Sequence, residues 1–126
     1  WGLSFKPTPD DVREAPALTV VEAMLKAGAS VSAYDPVAIE PFSKMMPASD
    51  KLTYVEHAFE ACEDADALLI LTEWDEFRQP DFSKLKNCMK TPLIFDGRNI
   101  YKPEDAVAAG FRYYCIGKSE ASYTTN

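Results

Sequence analysis

The chain has 126 residues, 47% of them hydrophobic and 26% charged, which suits one globular domain with a sizeable core. Its 13 basic and 20 acidic residues leave a formal net charge of −7, with no block of Lys and Arg, so neither nucleic acid nor an anionic membrane is an expected partner. Cys62, Cys88 and Cys115 fit no C-x-x-C pattern, and no apolar run approaches the ~20 residues that span a bilayer. With no signal peptide either, free thiols and a cytoplasmic location are expected.

The first element, WGLSF, reads as a strand with no polar lead-in, so Trp1 is expected to be a cut point in a longer protein. A loop follows that crowds Lys6, Asp10, Asp11, Arg13 and Glu14 together. A helix is predicted over 15–27, with Leu18, Val21, Met24 and Leu25 on one face and Gly28 as its stop. SVSAY is a second strand, ending at Asp35-Pro36. A weak helix over 39–46, a strand over 52–55 and a helix over 58–64 come next. ALLILT and then PLIFD are continuous apolar runs, as strands buried on both faces require. Helices over 81–89 and 103–109, the second closed by Gly110, flank the PLIFD strand, and a last strand covers 111–116.

Strand–helix alternation of this kind predicts an α/β fold. It should be a Rossmann-like, doubly wound parallel sheet of five or six strands with helices on both faces, in three αβα layers. Crossovers should be right-handed. The domain should occupy residues 1–117, leaving 118–126, rich in Ser and Thr, as a flexible tail.

In such a sheet the loops leaving the carboxyl ends of the strands form the ligand crevice. Four of them carry unusual residues: FKPTPDDVREAP, YDPVA, TEWDEFR and FDGRN. The first, third and fourth lie side by side if the strand order reverses after the first strand. Lys6 and Arg98 would then converge as an anion site, with Gly97 clearing space for the ligand. The competing reading pairs Arg98 with Asp96 or Asp75, and Lys6 with Asp10, as structural ion pairs.

The first loop has no G-x-G-x-x-G, so the domain should not grip a dinucleotide in the standard way. Asp35-Pro36 then reads as a strand-ending turn rather than a ribose site. His57, the single histidine, has no triad partner in sequence and reads as a surface or capping residue. Each cysteine lies inside an element, where structural thiols are expected. Trp74 and Phe77 could stack on a base, but aromatics at a strand end more often cover the core edge. No cluster has metal-ligand spacing, and no catalytic residue is assigned.

The motifs GLSFKPTPDDVREAP, AYDPVA, TEWDEFR and FDGRNIY, in that order and followed by G-F-x-Y-Y-x-I-G, resemble the C-terminal domain of the UDP-glucose/GDP-mannose dehydrogenase family. The likeness runs from Gly2 to Gly117, and its wording is nearest the UDP-glucose 6-dehydrogenases, which oxidise the sugar C6 alcohol to a carboxylate with two NAD+. It implies that Phe5, Lys6 and Arg98 contact the UDP-sugar and that Arg13 reaches across a cleft to NAD. It further implies that an N-terminal domain holds most of the NAD and that a central helical part carries the catalytic cysteine. The whole protein would be a homodimer or higher oligomer, and this chain alone would be inactive. Asp10, Asp11 and Glu14 would hold the two bases and cap the helix. Pro9 departs from the family, which commonly has Thr there, and removes one backbone N–H. The same domain from a UDP-N-acetylhexosamine or GDP-mannose dehydrogenase, or a free-standing nucleotide-binding module, are the alternatives.

Overall fold

The computed structural model describes residues 1–4 and 15–115. Its elements alternate throughout: α1 (Pro16–Lys26), β1 (Val31–Ala33), α2 (Ile39–Met45), β2 (Leu52–Tyr54), α3 (Ala58–Cys62), β3 (Leu68–Ile70), a 3-10 turn (Asp75–Phe77), α4 (Phe82–Cys88), β4 (Leu93–Asp96), α5 (Pro103–Ala108) and β5 (Arg112–Cys115). All strand pairs are parallel. β1 pairs with β2 in register Val31↔Leu52, and β4 lies between β3 and β5 in registers Leu68↔Ile94 and Ile94↔Tyr113.

The opening residues join these two sheets. Trp1 donates from its terminal ammonium to the Leu69 carbonyl at 2.8 Å and accepts at its carbonyl from Leu71 N–H at 2.8 Å, while Gly2 N–H reaches the Tyr34 carbonyl at 2.9 Å. WGLSF is therefore the central rung between β1 and β3, as far as Ser4; Phe5 lies outside the described residues. The strand order reverses at this rung, which is the condition the sequence set for a shared crevice. Gly2 is required there: its φ is +104°, and a Cβ would sit 2.5 Å from the Thr72 backbone nitrogen.

Two buried clusters lie on opposite faces. Leu3, Ala33 and Leu52 pack with Val21 of α1 and Phe42 of α2. Trp1, Tyr34, Ile70, Ile94 and Tyr113 pack with Cys62, Leu85 and Ala106 of α3, α4 and α5. Ala33 and Tyr34 are adjacent yet belong to different clusters, as side-chain alternation along a strand demands. The three αβα layers follow.

Several local expectations need correcting. The N-cap of α1 is Ala15, which has no side-chain acceptor, and Pro16 at its start has no N–H to satisfy; Asp10, Asp11 and Glu14, expected as caps, lie outside the described residues. Met24, expected on the buried face of α1, is 37% exposed. β4 is not buried on both faces: Phe95 is 43% exposed and stacks on Tyr114 with ring centroids 5.4 Å apart. α1 and α2 pack over the β1–β2 half of that face, and among the described residues no helix packs over Phe95.

Candidate functional site

Three buried side chains organise the loops at the carboxyl ends of the strands. Asp35, 2% exposed, ends β1 and accepts four hydrogen bonds. Its Oδ1 takes Val37 N–H at 2.9 Å and Ala38 N–H at 2.8 Å, which makes the D-P turn. Its Oδ2 takes Leu3 N–H and the indole N–H of Trp74, both at 2.9 Å. One carboxylate thus ties the first strand, the YDPVA turn and the TEWDEFR loop together. Thr72, fully buried, donates its hydroxyl to the Ser4 carbonyl at 2.6 Å, where the FKPTP loop departs.

Asp96 does the same for the FDGRN loop. It is 1% exposed, and its carboxylate accepts from Arg98 N–H (2.9 Å), Ile100 N–H (2.8 Å), Tyr101 N–H (3.3 Å) and the Tyr113 hydroxyl (2.6 Å). Asn99, at φ +57°, turns the backbone so that these amides point back at one side chain. Burial, with the bond to Asp96 second, pushes the Tyr113 phenol well up, so it stays a donor. The Gly97 expectation changes: a Cβ there would meet the Ile70 carbonyl at 3.1 Å, and Gly97 N–H donates to that carbonyl at 2.8 Å. The space its hydrogen provides is taken by strand β3, not by a ligand.

With the loop fixed, the Arg98 guanidinium extends to the TEWDEFR loop and binds Glu73 Oε1 at 2.7 Å through Nη2. The competing structural reading is realised with another partner than either carboxylate named for it, since Asp96 takes the backbone of Arg98 and Asp75 pairs with Arg78 at 3.4 Å. Arg78 also approaches Glu73 Oε2, at 3.6 Å. Two guanidiniums and two carboxylates therefore share one rim. Arg98 is 28% exposed and has five N–H donors, so a bond to Glu73 is compatible with a second, anionic acceptor. Glu73 is the residue that sequence reasoning missed; its only signal was an acid directly after the ALLILT strand, level with Arg98 after the neighbouring one.

Of the expected site residues, Arg98 is placed at this rim, while Phe5, Lys6 and Arg13 lie outside the described residues, as do Pro9, Asp10, Asp11 and Glu14. Phe77 is fully buried and stacked on Trp1 at 4.9 Å, and Trp74 is held by Asp35, so both aromatics serve the core edge. Glu76 accepts from the Tyr34 hydroxyl at 2.8 Å. His57 is exposed at the N-cap of α3, with no cap bond from its side chain. Cys62 is buried and its thiol is pushed up to about 12, and burial also raises Cys88; both are inert thiols. Among the described residues no group of three acidic, Cys or His side chains converges to hold a metal, and no helix is long and apolar enough to cross a membrane.

The profile of the UDP-glucose/GDP-mannose dehydrogenase family, UDP binding domain, matches residues 1–103. A UDP-glucose 6-dehydrogenase of Pseudomonas aeruginosa is 47% identical over 126 residues, covering 98% of this chain and 28% of that protein. One from Rhizobium meliloti is 47% identical over 119 residues, with 94% and 26% covered. Among solved structures, an NDP-N-acetyl-D-galactosaminuronic acid dehydrogenase from Methanosarcina mazei superposes with a TM-score of 0.80 at 26% identity, over 99% of this chain and 25% of that one. A UDP-glucose dehydrogenase from Pyrobaculum islandicum gives 0.74 at 29% identity, over 94% and 24%. The chain thus spans about a quarter of the length of the proteins it matches.

Proposed function

Because the chain belongs to the UDP-glucose/GDP-mannose dehydrogenase family, through its UDP-binding domain, we propose that it is the substrate-binding domain of an NAD-dependent UDP-glucose 6-dehydrogenase. The whole protein oxidises UDP-glucose to UDP-glucuronate in the cytoplasm, as a homodimer or higher oligomer. The observation that carries this reading is the 47% identity over nearly the whole chain to proteins named for that activity. Dehydrogenases of N-acetylated sugar nucleotides share the fold at 26–28% identity, level with the 29% of the UDP-glucose dehydrogenase structure, so the preference for glucose rests on the 47% relatives alone. Residues 1–117 form the domain and 118–126 its tail.

In this reading Arg98 binds the diphosphate, with Phe5 and Lys6 on the same UDP-sugar and Arg13 directed to NAD. Support comes from the geometry of the loop: an arginine whose backbone N–H is held at 2.9 Å by a buried carboxylate loses less freedom when its guanidinium takes up an anion. NAD, when bound, supplies the hydride acceptor and is held mainly by another domain. This chain's share is to bind and orient the nucleotide, and alone it turns over no substrate. A calorimetric titration of the chain with UDP, GDP and NAD+ at low salt tests this, with preferential UDP binding expected. Arg98→Ala should weaken UDP binding by about 1.5–3 kcal/mol, the loss of a charge-assisted contact. Equal affinity in the variant removes Arg98 from the site.

A further inference from the structure

The loop from Thr72 to Arg78 is pinned to the domain at almost every second residue. Thr72 donates to the Ser4 carbonyl at 2.6 Å, and Asp35 holds the Trp74 indole N–H at 2.9 Å. Glu76 accepts from the Tyr34 hydroxyl at 2.8 Å, and the buried Phe77 offers its carbonyl to the Tyr101 hydroxyl. The 3-10 turn closes with Phe77 N–H on the Trp74 carbonyl and Arg78 N–H on the Asp75 carbonyl, both at 3.0 Å. These anchors fix the backbone and set Glu73, Asp75 and Arg78 together on its outer side. Glu73 there stands between two guanidiniums. Its Oε1 takes Arg98 Nη2 at 2.7 Å, a short charge-assisted bond, while its Oε2 lies 3.6 Å from Arg78 Nη2, outside hydrogen-bond distance. Arg78 is otherwise paired through Nε with Asp75 at 3.4 Å, a fully exposed carboxylate that holds it weakly.

We propose that Arg78 is a positioning residue of this rim, one that takes over the Glu73 carboxylate when Arg98 turns to the diphosphate. The proposal rests on the nucleotide reading given above. A diphosphate that draws on Arg98 loosens its bond to Glu73 and leaves that carboxylate facing a like charge. Closing the 3.6 Å gap to Arg78 gives Glu73 a new charge-assisted partner and turns its charge away from the ligand. The exchange asks only side chains to move. Arg98 N–H stays on Asp96 and Arg78 N–H stays on Asp75, so both arginines keep a fixed base. The printed distances describe the first half of the exchange, with Glu73 held tightly by one arginine and approached by the other. Arg78 thus acts through Glu73 and makes no contact with the nucleotide.

The test is a double-mutant cycle of UDP titrations on the unsubstituted chain, Arg78→Ala, Glu73→Gln and the two together. Arg78→Ala should weaken UDP binding about threefold while Glu73 is present, and by less than about 1.5-fold once Glu73→Gln has removed its charge. Equal or greater weakening in the Glu73→Gln background means that Arg78 acts on the ligand without Glu73, and it overturns the proposal. So does no weakening in either background. A second measurement needs no ligand. Arg98→Ala imitates the arginine that has turned away, so exchange of the Arg78 guanidinium protons, read by nitrogen-15 NMR, should slow about twofold or more. Adding Glu73→Gln should restore the starting rate. Unchanged exchange in Arg98→Ala overturns the handover whether or not UDP binds. A chain that binds no UDP counts against the nucleotide reading, and the exchange rates then decide the role of Arg78.

Discussion

Glu73 and Arg98 set the chemistry of the rim between them. Their 2.7 Å contact is 28% exposed on the arginine side and 35% on the glutamate side, so it is a partly screened pair that a ligand can compete for. A diphosphate approaching Arg98 meets the Glu73 carboxylate as a like charge. Glu73→Gln keeps an acceptor for Nη2 and removes that charge. It should tighten UDP binding by about 0.5–1 kcal/mol, with the gain shrinking as salt is added. Titration of the variant reads this directly, and weaker binding instead would show that Glu73 holds Arg98 in its working position. The pair was not legible in the sequence, for a physical reason. The two residues are 25 apart, and only the β3–β4 register, Ile70 beside Asp96, brings the loops level. By contrast, Asp35 as a turn-former was legible, because D-P after a strand has one local chemistry wherever it occurs.

Elements were easier to foresee than their exposure. Every predicted helix and strand from residue 16 to 115 is present, because Gly28, Gly110 and Pro16 punctuate the chain and the apolar runs have strand length. WGLSF is seen only as backbone bonds from Trp1 and Gly2. Which strand face is covered depends on where helices from other parts of the chain settle, so the exposure of Phe95 and Met24 could not be read from periodicity. The loop after β4 makes a prediction of its own. Asp96 collects four donors in a nearly solvent-free position. An amide in its place offers one oxygen and turns N–H groups toward N–H groups. Asp96→Asn should cost about 2–4 kcal/mol of stability and loosen Arg98 at the same time. Urea unfolding measures the first effect, and loss of UDP affinity in the still-folded variant measures the second.

In the 126-residue chain tested by itself, the Trp1 amine is where acid should act. Burial lowers the Trp1 amine from 8.0 to about 6, with Cys62 and Asp35 opposing that shift weakly. The unfolded chain therefore binds a proton between about pH 6 and 8 that the native chain does not. Stability must rise with pH across that window, by about 2 kcal/mol, and level off above it. Unfolding curves at about pH 6 and about pH 8 should show this slope, and an Nα-acetylated chain should lack it. The same rung has a consequence in time. Trp1 leaves the ribosome before its partners Leu69 and Leu71, which lie 68 and 70 residues behind it. At roughly 5–20 residues per second, the middle of the sheet waits roughly 3–14 s for its second neighbour. Until then α1, β1, α2 and β2 can gather only one of the two cores. The rim proposed for the nucleotide, which needs Thr72, Glu73 and Arg98 in line with Ser4, is among the last parts of the domain that synthesis can complete.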